Sequence, residues 1–321
     1  MPLLRDLSEH LQTFLENNAT PLSPDARRLT GDFERLLSYL AEDQPWLSQA
    51  DNLRNRAHFA DSVRAIHETL TAIQLRARSE AMPDWPGALV THWQETKADV
   101  ITFNYDTLVE AAYTAVANPS GDIERHRPPS DLYRLPVTHF RARAGDALIG
   151  AGRVSAFALL KLHGSLSWYY SGPDAAPSDV VYNTDDVWGW RLEADARVPR
   201  DEDDDRWLAD KLPLIVPPTA TKSGFYANQA LRVQWTRARD ALRDAEEVVL
   251  VGYSVPVTDL LVRALLTTSL QPDQTVIPVN TSADVVGQLR DVMPPGDPDQ
   301  LRTEFVGMPD AVKRYVRFFC S

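Results

Sequence analysis

The sequence predicts an α/β fold, a mainly parallel sheet with helices on both faces, joined to a helical N-terminal module. Three observations predict it. Apolar residues recur at helical spacing through about the first hundred residues. From Asp99 onward, short β-branched and apolar runs alternate with helical patterns, the order that builds parallel sheets. Several of those runs end in small polar residues, and ligands of open α/β sheets bind at that edge.

The N-terminal module reads as follows. Leu3, Leu4, Leu7, Leu11, Phe14 and Leu15 give one apolar helical face, which Asn17 and Asn18 end before a loop with Pro21 and Pro24. A second helix is predicted over Asp32 to Ala41, with Phe33, Leu36, Leu37 and Leu40 inward and Asp32 or Thr30 as cap. Pro45, Trp46 and Asp51 mark a break. A longer helix fits Arg54 to Arg78, with Phe59, Val63, Ile66, Leu70 and Ile73 on one face. Its opposite face (Arg56, Arg64, Glu68) reads as solvated. Pro83 and Pro86 interrupt, and Leu89 to Trp93 reads as a short helix.

The candidate core strands are Asp99–Phe103, Phe157–Leu162, Leu214–Val216, Glu247–Val251 and Thr275–Val279. Helices fit Thr107–Val116, Tyr226–Asp244, Asp259–Ser269 and Asp284–Val292. Residues 118–150 and 171–212 read as excursions from this core. The second holds Trp188, Trp190 and the acidic run Asp201 to Asp205, for which a solvated loop is favoured over a metal site. The organisation is thus one domain over 1–321, with 1–97 mainly helical and 98–321 the sheet-bearing core.

The totals exclude several classes. With 321 residues, 44% hydrophobic and 24% charged, the chain has an ordinary globular composition. A formal net charge of −12 argues against a nucleic-acid surface, which needs a basic footprint, and gives no reason to expect an anionic membrane. The single cysteine, Cys320, allows no disulfide within the chain and no four-cysteine zinc site. The first residues are not those of a signal peptide, and no apolar run is long enough to span a bilayer. A cytoplasmic location follows as the expectation.

The stretch ADVITFNYDTLVE, Ala98 to Glu110, organises the rest. It is a strand, then Asn104 and Asp106, then a helix. A second strand ends in His163, Gly164 and Ser165. An amide, a carboxylate and an imidazole at adjacent strand ends can make an active site. The bland alternative is that Asn104 and Asp106 cap the next helix and His163 is a satisfied turn histidine. Two further strands end in polar residues. Glu247–Val251 runs into Gly252, Tyr253 and Ser254, where glycine allows close approach to a ligand and the helix that follows can serve a ribose or phosphate. Thr275–Val279 runs into Asn280, Thr281 and Ser282, where Asn280 has a cap reading beside the site reading.

These motifs resemble the sirtuin-like (silent-information-regulator-like) NAD-consuming domains, in particular the bacterial branch of phage-defence proteins. Thr102-Phe103-Asn104-Tyr105-Asp106 resembles the T-x-N-x-D motif, and Lys161-Leu162-His163-Gly164-Ser165 the L-H-G motif. Val251-Gly252-Tyr253-Ser254 resembles the G-x-S segment, and Val279-Asn280 the V-N pair. Asp32 to Leu40 resembles an early helical segment of the same bacterial proteins. The likeness runs from about residue 98 to 282.

The resemblance implies a Rossmann-like core that takes NAD+ as substrate. It implies that Asn104 and His163 are catalytic, with Asn104 orienting water and the ribose hydroxyls and His163 acting as general base. Asp106 would hold the nicotinamide carboxamide. Thr102, Phe103, Gly164 and Ser165 would line the site, and Gly252, Tyr253, Ser254 and Asn280 the adenosine side. The four zinc cysteines of deacylase sirtuins are absent. No zinc is therefore expected, and hydrolysis of the nicotinamide–ribose bond is favoured over protein deacylation. Regulation by a second copy of the chain or by a defence-system partner also follows.

The family opens with a strand and a G-A-G-x-S loop that cradles the NAD diphosphate. Here Met1 falls just after the place of that loop, and Gly31 stands alone. The expectation is a misassigned start codon. The alternative is a catalytically impaired nucleotide-binding or assembly module.

Overall fold

The computed structural model of the chain describes residues 14–15, 21–117, 129–133, 138–139, 157–172, 175–176, 180–184, 189–191, 208–219, 222 and 224–320. Most of the first predicted helix, the bulk of both excursions, Trp188 and the run Asp201 to Asp205 lie outside them.

The chain is mixed α/β and divides into two compact units. The first is drawn from Met1–Met82, Thr102–Val154 and Lys161–Val233, the second from Pro83–Ile101, Ser155–Leu160 and Gln234–Ser321.

The first unit opens with a single turn, α1 (Pro24–Arg27), capped by the Ser23 hydroxyl. In α2 (Phe33–Ala41) the Asp32 carboxylate accepts the Arg35 N–H, so the cap the sequence offers is used. Phe33, Leu36, Leu37 and Leu40 are buried, as their spacing predicts. They pack with Val63, Ile66 and Leu70 of α3 (Gln49–Ser79). That helix starts five residues before the predicted Arg54. Ser48 caps it by accepting the Asp51 N–H, so Asp51 lies in its first turn rather than in a break. Its buried face also carries polar groups: Asn52, Asn55, His58, Ser62, Gln74 and Arg78. Arg78 is satisfied by the carbonyls of Gly189 and Trp190, each at 3.0 Å.

The second unit contains α4 (Asp84–Thr96), longer than the predicted Leu89–Trp93. Pro83 precedes it and Pro86 falls in its first turn, where a helix has no use for the missing N–H, so the prolines start this helix instead of interrupting it.

Strand β1 (Asp99–Thr102) pairs with β3 (Ala158–Lys161), and the chain passes between the units within both. The Ala158 N–H to Ala98 and Leu162 N–H to Thr102 bonds keep one offset, which makes the pair parallel. Helix α5 (Leu108–Ala117) follows β1.

In the first unit a four-stranded set runs in the order β2 (Thr138–His139), β5 (Tyr182–Asn183), β4 (Gly164–Tyr170), β6 (Leu212–Ile215). β4 pairs antiparallel with both β5 and β6. The parallel order expected of Leu214–Val216 therefore does not hold. Gly164 joins the register opposite Ile215, so the chain after His163 returns as a strand and pairs there.

Helix α6 (Gln229–Asp244) leads into the second unit's parallel set, β7 (Glu247–Val251), β8 (Thr275–Asn280) and β9 (Phe305–Val306). Val251 pairs with Val279, and Val279 with Phe305. Helices α7 (Leu260–Ser269), α8 (Val285–Arg290) and α9 (Ala311–Phe319) belong to the same unit. Ile277, Val279, Phe305, Tyr315 and Leu89 share its core. The predicted strands thus form three hydrogen-bonded sets among the described residues, with parallel pairing in β1–β3 and β7–β8–β9.

Gly164 tests this arrangement. Its φ is +83°, and a Cβ built there would lie 1.9 Å from the Leu214 carbonyl oxygen. Gly164→Ala combines a left-handed backbone with a clash against main chain. The variant is expected to lose about 3 kcal/mol or more of unfolding free energy, read from the urea midpoint. An unchanged midpoint would contradict the β4–β6 register.

Candidate functional site

The candidate residues fall into two groups, each within one unit. The first is built at the ends of β1 and β3. Thr102 closes β1, and its hydroxyl accepts the Asn104 N–H at 3.1 Å, which turns the chain. The Asn104 side chain is exposed and makes no hydrogen bond among the described residues. The Asp106 carboxylate accepts the Leu108 N–H at 3.2 Å, an Asx cap on α5. The capping reading therefore holds for Asp106 and not for Asn104. The remaining cap comes from Gln74 of α3, whose amide oxygen accepts the Thr107 N–H at 2.6 Å.

Beneath this turn lies a buried ion pair. Lys161, the last residue of β3, places its ammonium 2.9 Å from the Glu110 carboxylate, and both side chains are essentially inaccessible. The ammonium also donates to the Asp106 carbonyl at 2.5 Å and, at the longer distance of 3.5 Å, to the Tyr105 carbonyl. Tyr133 donates its hydroxyl to the same Glu110 oxygen at 2.7 Å. A buried charge is tolerated when it is paired and its donors are used, as those of the Lys161 ammonium are, while the second Glu110 oxygen has no hydrogen bond among the described residues.

His163 follows β3 after one residue and is 8% exposed. Its ring centroid lies 5.2 Å from that of Phe103 and 6.5 Å from that of Tyr105. Its carbonyl accepts the Val216 N–H, and the Val216 carbonyl accepts the Tyr105 hydroxyl. The two turns are thus tied through the end of β6. Ser165 is fully buried and donates toward the Tyr105 carbonyl at 3.5 Å. Thr102, Phe103, Asn104, Asp106, His163, Gly164 and Ser165 therefore belong to one neighbourhood. Gly164 and Ser165 serve its backbone packing.

The second group lies at the carboxyl ends of β7 and β8. The Gly252 N–H bonds to the Val279 carbonyl at 2.9 Å, so Gly252 and Asn280 end adjacent parallel strands. Gly252 has a φ of +70°. The Asn280 oxygen accepts the Ser282 N–H at 2.9 Å, leaving the amide nitrogen without a hydrogen bond among the described residues. Ser254 is exposed. Tyr253 donates its hydroxyl to the Asp259 carboxylate at 3.0 Å, and burial, with the Asp259 charge, raises its pKa. Gly252 and Asn280 line a cleft of about 310 Å³ with Trp85, Thr281, Asp310 and Lys313. A wider, open groove of about 880 Å³ runs along α1 and α2, and none of the candidate residues lines it.

Sequence reasoning missed Gln74, Glu110 and Tyr133, whose roles come from pairing across long separations. It also missed the β9 end, where the Gly307 N–H bonds to the Asn280 carbonyl at 3.0 Å and the following residues wall the cleft. A short apolar pair, Phe305 and Val306, before a glycine was the available signal. No group of three or more His, Cys, Asp or Glu able to hold a metal ion occurs among the described residues. None of the helices there is long and apolar enough to cross a membrane.

Asp106 carries a testable electrostatic signature. Burial raises its pKa above the ordinary 3.8, and the Lys161 charge offsets part of that rise. A carboxyl with a raised folded-state pKa favours folding most below the unfolded value, and that contribution is lost as pH rises through the folded value. Asp106→Asn keeps an acceptor for the Leu108 N–H and removes the titration. Its Tm should exceed that of the parent at pH 7, and the gap should close below about pH 4. A lower Tm at pH 7 would contradict this. In comparisons with known proteins, no family model matches the chain and no curated protein matches it.

Proposed function

We propose that the chain binds NAD+ and hydrolyses its nicotinamide–ribose bond. The observation that carries this reading is the meeting of the FNYD and HGS turns, with the Phe103 and His163 rings 5.2 Å apart and the Asn104 amide exposed beside them in sequence. The reaction asks for a held ribose, a positioned water and a base. In this reading Asn104 orients the water and ribose hydroxyls. His163 takes the proton as general base. Asp106 faces the carboxamide. The cleft at Gly252 and Asn280 supports an adenosine-binding role, with an uncommitted amide nitrogen as donor to a ribose hydroxyl and Trp85 as an aromatic wall.

The parallel β7–β8–β9 set then belongs to a Rossmann-like core. A role in anti-phage defence, a cytoplasmic location, and control by a second copy or a partner protein rest on the resemblance alone. A second reading, a nucleotide-binding or assembly module without turnover, is favoured by one observation: His163 is largely buried.

The test is nicotinamide release from NAD+ by the purified chain and by a form extended upstream to the nearest alternative start. Asn104→Ala and His163→Ala should each abolish release in whichever form is active, a loss of about 100-fold or more, while their melting curves stay cooperative. Full release by both variants would sink the catalytic assignment. Binding of ADP-ribose without any release would support the module.

A further inference from the structure

Lys161 is charged, buried and placed where neither proposed catalytic group needs a charge of its own. Among the described residues its ammonium donates to the Glu110 carboxylate and to the main-chain carbonyls of Tyr105 and Asp106. Two of the three lie in the turn that carries Asn104 and Asp106. The third is on α5, which that turn leads into. Tyr133 donates its hydroxyl to the same Glu110 oxygen. A buried ion pair adds little stability over an apolar pair of similar volume. What this one does in addition is fix the direction of two peptide planes. The direction of a peptide plane sets where the flanking side chains point.

We propose that Lys161 is a positioning residue: its ammonium, held by Glu110, fixes the Tyr105 and Asp106 carbonyls and thereby the presentation of Asn104 and Asp106 beside His163. The proposal rests on the reading of Asn104 and His163 as the reacting groups. Carbonyls held by a cation are not available as acceptors to other groups. The arrangement also leaves the Asn104 amide free for substrate or water.

The test uses the full chain and two substitutions made together. Lys161→Met alone strands the Glu110 charge and threatens folding. Lys161→Met with Glu110→Gln removes both charges and keeps an acceptor for the Tyr133 hydroxyl. Two readouts are taken on the double variant once circular dichroism and a cooperative melt have shown it folded. The first is hydrogen–deuterium exchange of the amides of residues 104–108, with residues 164–170 of β4 as the internal reference. The expected result is exchange about tenfold faster or more in the turn and unchanged in β4. The second is the split of NAD+ kinetics, with kcat lower by about 100-fold and KM within threefold, because misplacement by about an ångström costs that much in rate.

Unchanged exchange at 104–108 in the folded double variant overturns the proposal. So does faster exchange with kcat within threefold of an active parent, in which case the reading of Asn104 and His163 still stands. Absence of NAD+ cleavage by both the parent chain and its upstream-extended form defeats that reading instead. The link to catalysis then falls with it, and exchange alone decides whether Lys161 clamps the turn.

Discussion

One buried ammonium organises the first candidate site. A charge such as that of Lys161 has to be matched on every side, and the match determines local geometry. Glu110 supplies the counter-charge from α5, and the Tyr105 and Asp106 carbonyls supply further acceptors. These requirements pin the end of β1, the end of β3 and the start of α5 to one another. Around that point the smaller bonds follow. Gln74 caps α5, Tyr105 reaches Val216, and Val216 reaches His163. Asn104 and His163 sit within this network, with the Asn104 N–H on the Thr102 hydroxyl and the His163 ring against those of Phe103 and Tyr105.

The second site depends on register. Parallel pairing of Val251 with Val279 brings Gly252 and Asn280 to one sheet edge. Pairing of Val279 with Phe305 brings Gly307 to the same edge. No long-range side-chain network is needed, because consecutive parallel strands end together when their offset is constant. The glycine at the end of β7 takes a positive φ, and Val255 three residues later does the same at a β-branched position, with its carbonyl held by Arg263. Strain of this kind is sustained only where surrounding bonds over-determine the loop.

Much of this was legible in the residues, for a physical reason. Periodicity reports burial, so α2 and α3 appeared in the spacing of Phe33, Leu36, Leu37, Val63 and Ile66. Strands β1, β3, β7 and β8 appeared as β-branched or apolar runs with polar ends. Pairing direction did not, because an apolar run reads alike in parallel and antiparallel sheets. Hence β6 was expected in a parallel order and pairs antiparallel with β4. Strand β4 itself, GSLSWYY, was hidden by its serines. They break the apolar run, so no element was assigned there, yet Ser165 and Ser167 are buried and bond to each other. Of the first site, Asn104, Asp106 and His163 were visible as polar groups at strand ends. The pairing of Lys161 with Glu110 and of Glu110 with Tyr133 was not, because nothing in a sequence marks which distant charges will be buried together.

The proposed reaction is the splitting of NAD+ by water. The most direct measurement is mass spectrometry of the products formed in H2(18)O by the full chain and by its upstream-extended form. Hydrolysis yields equimolar nicotinamide and ADP-ribose, the latter carrying one solvent oxygen at the former glycosidic carbon. Intact NAD+ in both forms, or ADP-ribose joined to an acyl or protein group in place of solvent oxygen, would contradict it.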